Sequence, residues 1–260
     1  MTKAIILAAG QGSRLKPLTN EIPKCLVNFL GKSLLDYQLD VFKKLKIKKV
    51  HIVTGYKEKK IKKIGLTKSI NKNFMKSNMV YSLFSSIDFI KGNEDLIISY
   101  GDIIFTKENL KKLLKSKSEI SLMIDMNYLE YWKIRSTKPI KDLESLIIDK
   151  NNNIKEIGKK IKSYKRAMGQ YTGLIKIKSS AIKKIIDFYN NLDRKKIYER
   201  KSFKNMYMTT FFQILIDSGW KIKPVKVKNG WLEFDTLEDY QKYVELNNLK
   251  KLKNFFNFKI

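Results

Sequence analysis

An apolar run over residues 4–9 breaks into Gly10-Gln11-Gly12-Ser13-Arg14, and Pro17-Leu18-Thr19 and Pro23-Lys24 follow at once. This opening constrains the chain more than any later segment. The run is long enough for one buried strand, and the glycines end it. Gly10 and Gly12 admit backbone conformations closed to other residues and let amide N–H groups approach an anion. Ser13 adds a hydroxyl donor, Arg14 a planar fork of donors and Lys24 a mobile point charge. Such a loop is a place to hold a polyphosphate.

Two commoner glycine motifs fail. Leu15 stands where a dinucleotide-binding loop has its third glycine, and Val53-Thr54-Gly55, ending the next strand, supplies no ribose-binding acid. Gly31-Lys32-Ser33 resembles the end of a P-loop, but Leu26 occupies the position of its first glycine. Glycine alone marks turns; Ser13-Arg14 and Pro23-Lys24 are what weigh against an ordinary turn.

The stretch Leu7-Ala8-Ala9-Gly10-Gln11-Gly12-Ser13-Arg14-Leu15-Lys16-Pro17-Leu18-Thr19, with Pro23-Lys24 after it, resembles the signature of the nucleotidyltransferases that make sugar nucleotides and related CDP-activated metabolites. The resemblance implies an α/β, Rossmann-like nucleotidyltransferase fold: a mostly parallel central sheet flanked by helices, with a small antiparallel extension. It also implies transfer of a nucleotidyl group from a nucleoside triphosphate to a phosphorylated acceptor. Leu7, Ala8, Ala9, Gly10, Gln11, Gly12 and Ser13 are then nucleotide-binding, and Arg14 and Lys24 act on the triphosphate and the leaving pyrophosphate.

The chain has 260 residues, 43% of them hydrophobic, enough for a substantial core, and we expect one domain over residues 1–260. Its formal charge is +29, from 54 Lys and Arg against 25 Asp and Glu. A basic stripe is the footprint of a nucleic-acid binder, and a catalytically silent basic binding protein is the competing reading from another class. The lysines are dispersed, as in Lys43-Lys44, Lys111-Lys112 and Lys250-Lys251, which fits a solvated surface better, so no specific nucleic-acid partner is expected. Cys25 is the only cysteine and His51 the only histidine, which excludes a disulfide within the chain, a thiol-rich metal site and a multi-histidine zinc site. No apolar run approaches the roughly 20 residues that span a bilayer. With a core strand at the N-terminus, a soluble cytoplasmic protein without membrane insertion is the expectation.

Apolar spacing predicts helices over residues 33–42, 79–90, 107–115, 207–218 and 237–249, and strands over 49–54, 95–99, 120–125 and 221–227. Strand–helix–strand order argues for a parallel sheet. Residues 126–176 are more polar, with strand-like pieces at 145–148, 154–157 and 171–176, and are expected to form an insertion or antiparallel extension at the acceptor site.

Tyr100-Gly101-Asp102 ends one apolar strand, and Gly230-Trp231-Leu232-Glu233-Phe234-Asp235 ends another in an acid. Sites in open parallel sheets lie beyond the carboxyl ends of strands. Two such acids can share one Mg2+, with Mn2+ the alternative, and phosphates and water complete the shell. The plainer reading of Asp235 is a helix cap, because Thr236-Leu237-Glu238 follows. The resemblance implies that Asp102 and Asp235 are the metal ligands and that Tyr100 and Gly101 border the nucleotide. It also implies that Lys159, or its neighbour Lys160 in the Glu156-Ile157-Gly158-Lys159-Lys160 segment, neutralises the α- or acceptor phosphate.

Segments along the whole chain resemble one branch in particular, the CTP-dependent phosphocholine cytidylyltransferases, a group that includes phosphoglutamine cytidylyltransferase. They are 77–83, 125–135, 142–144, 169–174, 207–209 and 231–235. The resemblance implies CTP as donor, with Asn78, Tyr81 and Ser82 also nucleotide-binding, and a small phosphorylated acceptor bound by Asp125, Arg135, Asp142, Tyr171, Trp231 and Glu233. Arg135 suits a carboxylate through a bidentate contact, and Asp125 or Asp142 suits an ammonium group. Gln170 and Thr210 stand where the branch has acids, which removes negative charge and moves the expectation from phosphocholine towards phosphoglutamine. A sugar 1-phosphate with UTP or dTTP is the neighbouring alternative. The resemblance places the product in surface (capsular) polysaccharide modification. Oligomeric state is not legible.

Overall fold

The computed structural model describes residues 1–136 and 138–258; Thr137, inside the 126–176 segment, lies outside the described residues. β1 (Thr2–Ala8) runs through the middle of the main sheet and is buried on both faces. Ile5 and Leu7 enter one hydrophobic core, and Ala4, Ile6 and Ala8 the other. That two-sided burial is why the strand reads as an uninterrupted apolar run.

A short hairpin of β2 (Asn28–Phe29) and β3 (Lys32–Ser33) leads into α1 (Leu34–Lys44), which starts where the Ser33 hydroxyl accepts from Asp36 N at 3.1 Å. β4 (Val50–Thr54) and β5 (Thr67–Ile70) extend the sheet on one side of β1. The helix expected over 79–90 is two helices, α2 (Met79–Phe84) and α3 (Ile87–Ile90). The break falls at Ser85 and Ser86: the Ser85 hydroxyl donates to Ser82 O, while Ser86 is tied to Ser69. Serine hydroxyls compete with the helix ladder in this way.

On the other side of β1 lie β6 (Asp95–Tyr100), with β7 (Ile103–Phe105) after it, α4 (Lys107–Leu114) and β8 (Ile120–Asp125). Then come α5 (Tyr128–Arg135), β9 (Glu144–Ile148), β10 (Ile154–Lys160), β11 (Gln170–Ile177) and α6 (Ser179–Asn190). After a second hairpin, β12 (Ile197–Tyr198) with β13 (Lys201–Ser202), the chain closes with α7 (Met208–Asp217), β14 (Ile222–Val227), β15 (Trp231–Glu233) and α8 (Leu237–Asn248).

The seven-stranded sheet has the order β14-β8-β11-β6-β1-β4-β5. All neighbours are parallel except β11, which is antiparallel to both β6 and β8. The fold is thus the mostly parallel α/β arrangement expected, with one correction: residues 171–176 belong to the central sheet. Of the strands in the 126–176 segment, only β9 and β10 form an antiparallel pair apart from the central sheet. Pro224 is tolerated in β14 because that strand is an edge. α6 was not among the expected helices, although Ala181, Ile182, Ile185, Ile186 and Tyr189 are buried at helical spacing.

Candidate active site

The two acids come together through the β7–β15 pair. These strands are antiparallel with Ile103 opposite Glu233, and Phe234 N donates to Asp102 O at 2.9 Å. Asp102 and Asp235, just beyond the pair, therefore emerge side by side. Gly101 permits the approach of β6 to β1: its N donates to Leu7 O at 2.9 Å, and a Cβ there would lie 2.8 Å from the Ala8 Cβ. From α1, the buried Gln38 amide donates to Tyr100 O (2.8 Å) and Ile103 O (2.7 Å) and accepts from the Ser99 hydroxyl (2.8 Å). This bracket holds the strand break that carries Asp102.

Asp235 is not the cap of α8. Thr236 caps that helix in a capping box with Asp239, whose Oδ2 also accepts from Asp235 N at 3.1 Å. The Asp235 carboxylate is left to face the cavity, where its Oδ1 accepts from Arg14 Nη2 at 2.7 Å and from Lys24 Nζ at 3.3 Å. Lys24 Nζ also donates to Asp102 Oδ2 at 2.7 Å. Burial opposes the charge on Lys24, but the Asp102 and Asp235 carboxylates outweigh it and hold its pKa above the usual lysine value. Gly12, at φ 68°, makes this possible, because a Cβ there would come within 2.9 Å of the Lys24 Cβ. The glycine loop thus seats a lysine as well as turning the chain.

Two cavities meet at these acids. The smaller, about 310 Å³, is bordered by Leu7, Ala8, Gly10, Gly12 and Ser13 from the first loop. Asn78, Tyr100 and Gly101 complete its expected wall. Cys25 and Met79 line it too and were not foreseen; the Cys25 thiol is buried and its pKa is pushed up to about 12, so it is a wall and not a nucleophile. Four expected nucleotide contacts do not line it. Ala9 is buried with its carbonyl accepting from Tyr56 N, and Gln11 lies in the loop outside the cavity wall. The Tyr81 hydroxyl accepts from Asn73, and the Ser82 hydroxyl from Asn71. Tyr81 and Ser82 brace the wall from behind.

The larger cavity, about 590 Å³, shares Arg14, Met79, Tyr100, Asp102 and Asp235 with the smaller one. Asp142, Tyr171, Arg135 and Glu233 line it. Asp125 and Trp231 do not. Asp125 is 0% exposed, and its oxygens accept from Asn127 N (2.9 Å), Asn229 N (3.0 Å) and Trp231 Nε1 (2.9 Å). It is a structural clip that ties the end of β8 to the start of β15, and Trp231 is buried against Tyr131 and Trp132.

Arg135 also needs correction. Its Nε and Nη2 reach the two oxygens of Asp239 at 2.9 and 3.0 Å, its Nη1 reaches Glu233 at 2.5 Å, and it stacks over Trp132. The fork meant for a substrate carboxylate is engaged by the protein's own acids, so Arg135 braces α5 against α8 and β15. Burial pushes Glu233 above the usual glutamate range, and Arg135 offsets this only in part.

Lys159 lines neither cavity. Its Nζ donates to Glu156 at 3.2 Å, Glu156 also accepts from Arg166, and the Lys159 side chain is 50% exposed. Lys160 is likewise exposed, paired across the ladder with Glu144. Neither lysine faces the site in this structure.

Several wall residues were missed, above all Glu144 and the start of α7 at Tyr207, Met208 and Thr209. The Glu144 signal was present in the Asp142-Leu143-Glu144 segment, and both of its acids line the cavity. Glu144 is half-buried; its burial, then the nearby Glu199 and Glu233, push its carboxyl up to about 7. The wall of the larger cavity holds seven carboxylates against two guanidinium groups. In a chain of charge +29 that excess is local and opposite in sign, and it does not suit a nucleic-acid groove.

Residues 3–138 match the family model described as nucleotidyl transferase. The chain is 38% identical over 252 residues to the CTP:phosphoglutamine cytidylyltransferase of Campylobacter jejuni, covering 93% of this chain and 99% of that protein. In fold it is similar to the inositol-1-phosphate CTP transferase from T. maritima, with a TM-score of 0.71 at 22% identity, over 99% of this chain and 98% of that one. It is also similar to the CTP:phosphocholine cytidylyltransferase from Streptococcus pneumoniae, with a TM-score of 0.70 at 21% identity, over 95% and 99% of the two chains. The family match, the identity over nearly the full length of both chains and the glycine loop facing two paired acids lead to one conclusion: this chain belongs to the nucleotidyl transferase family and is an enzyme that transfers nucleotidyl groups.

Proposed function

We propose that the enzyme transfers CMP from CTP to the phosphate of phosphoglutamine and releases pyrophosphate. The observation that carries this reading is the 38% identity to the Campylobacter jejuni enzyme over nearly the full length of both chains. The cavities support it, because the smaller one opens beside the glycine loop, the larger one offers an acceptor site, and they share Asp102 and Asp235. An attacking phosphate oxygen is already anionic, so no general base is required, and catalysis rests on positioning and charge neutralisation. Arg14 and Lys24 neutralise the triphosphate as charge moves to the leaving pyrophosphate. Selection of CTP over UTP comes from the relative alone.

Asp102 and Asp235 suit a divalent ion. Asp102 Oδ1 is buried and has no hydrogen-bond partner, an orphaned hard-oxygen donor beside a second carboxylate. Among the described residues no group of three or more His, Cys, Asp or Glu could hold a metal, and two carboxylates with phosphate oxygens and water are what Mg2+ commonly uses. We assign these two acids to Mg2+, or Mn2+, which when bound supplies charge neutralisation at the phosphates.

Phosphocholine is the second reading, favoured by the acidic wall and by the Tyr100, Trp132, Tyr171 and Tyr207 rings that border it. We place the reaction in the cytoplasm and its product in surface (capsular) polysaccharide modification; no helix among the described residues is long and apolar enough to cross a membrane. The test is pyrophosphate release with CTP, UTP, dTTP and ATP against phosphoglutamine, phosphocholine and a sugar 1-phosphate. CTP with phosphoglutamine should lead. Preference for a sugar 1-phosphate with UTP or dTTP would overturn the reading.

A further inference from the structure

The larger cavity contains groups that phosphate chemistry leaves unused. Asp102 and Asp235 face Lys24 and Arg14, and Glu233 and Asp239 are held by Arg135. The Glu144 carboxyl has no hydrogen-bond or ion-pair partner among the described residues, and the charges that act on it are those of the acids Glu199 and Glu233. Tyr171, whose buried hydroxyl stands beside that of Tyr100, is close enough to Glu144 to feel its charge. A cationic group would satisfy Glu144.

α7 begins on the same wall. No side chain caps it at Tyr207, so its first amide N–H groups carry the positive end of a ten-residue helix into the cavity. An acid at position 210 could fold back on this turn as a capping box does. The residue is Thr210, whose hydroxyl instead donates to Glu199 at 2.6 Å, and Glu199 does not line the cavity. Thr209, in the first turn, is 8% exposed, lines the cavity and has a hydroxyl with no partner among the described residues. Gly158 makes room for it, since a Cβ there would meet the Thr209 Oγ1 at 2.6 Å.

We propose that this cavity reads an α-amino-acid headgroup on the acceptor, with the ammonium on Glu144 and the carboxylate on the uncapped first turn of α7 at Thr209. The proposal rests on the phosphoglutamine reading and adds the residues that select it. It replaces Arg135 as the carboxylate site with a group that has no internal partner. Phosphate at the paired aspartates and a zwitterion at the far side would fix both ends of the acceptor.

The test compares phosphoglutamine with its deaminated and decarboxylated analogues, using CTP and pyrophosphate release, in the wild-type enzyme and in Glu144→Gln and Thr209→Val. Wild type should show an acceptor KM about 10- to 100-fold higher for each analogue, with KM for CTP little moved. Glu144→Gln should raise the phosphoglutamine KM by a similar factor, but not the KM of the deaminated analogue. Thr209→Val should raise it about 3- to 10-fold and spare the decarboxylated analogue. That crossed pattern separates binding from a merely structural role. Equal KM for all three acceptors in wild type overturns the clamp while the transfer reading stands. No turnover of phosphoglutamine by wild type, with turnover of another acceptor, overturns both.

Discussion

Lys24 Nζ lies 2.7 Å from Asp102 Oδ2, so a cation assigned to the triphosphate is paired with an acid assigned to the metal. Arg14 and Asp235 repeat the relationship at 2.7 Å. Lys24 is only 14% exposed, which keeps its ion pair poorly screened. Free divalent ions must therefore compete with an internal ammonium, whereas a triphosphate would draw both cations away. Lys24→Met should bind free Mn2+ about tenfold more tightly by electron paramagnetic resonance titration, and CTP more weakly. Unchanged Mn2+ affinity in a folded variant removes Lys24 from this role.

Asp102→Asn and Asp235→Asn each keep the shape of the side chain and remove its charge. Turnover should fall by roughly 10²- to 10⁴-fold in either variant if the carboxylates neutralise charge in transfer. The β7–β15 pairing does not depend on these side chains, so circular dichroism should show an intact fold. Near-normal pyrophosphate release from folded Asp102→Asn would falsify the metal assignment.

Gln38→Leu tests how the acid is held. The substitution leaves Tyr100 O and Ile103 O without the donor they share and should cost about 2–5 kcal/mol in denaturant unfolding. Because those carbonyls flank Asp102, turnover at a temperature where the variant remains folded should fall as well. Lost stability with full turnover would show that Gln38 only packs the core.

Glu144 sets a pH signature. Its carboxyl is raised in the folded protein, to about 7, by burial and then by Glu199 and Glu233. A raised acid contributes stability below its unfolded value, and that contribution is lost as pH rises through the folded value. Between about pH 5 and pH 8 the ligand-free wild type should lose on the order of 1–3 kcal/mol relative to Glu144→Gln. Chemical denaturation across that range measures it, and parallel curves for the two proteins would show that Glu144 is not perturbed.

Much was legible in the chain itself because it depends on neighbours in sequence. A strand buried on both faces must be apolar throughout, and a tight loop needs glycine where the backbone turns to positive φ, so β1 and the turn at Gly12 could be read directly. Asp102 and Asp235 were legible for the same reason, each standing at the end of a short apolar run. The strand–helix–strand alternation, with its parallel sheet, followed from periodicity.

Which side chains are free was decided only by tertiary structure. Asp125 looks like an acid available to an ammonium group, yet it is consumed by Trp231, Asn127 and Asn229, while Glu144, which was not foreseen, is left without a partner. Arg135 looks like a carboxylate receptor, but Asp239 and Glu233, about one hundred residues away, already satisfy it. Residues 171–176 look like part of a local extension, but β11 inserts antiparallel between β6 and β8. In each case the deciding contact is long-range. Local pattern determines the element and the type of charge it carries, but whether that charge is spent inside the protein or offered to a ligand depends on which distant residue the fold sets beside it.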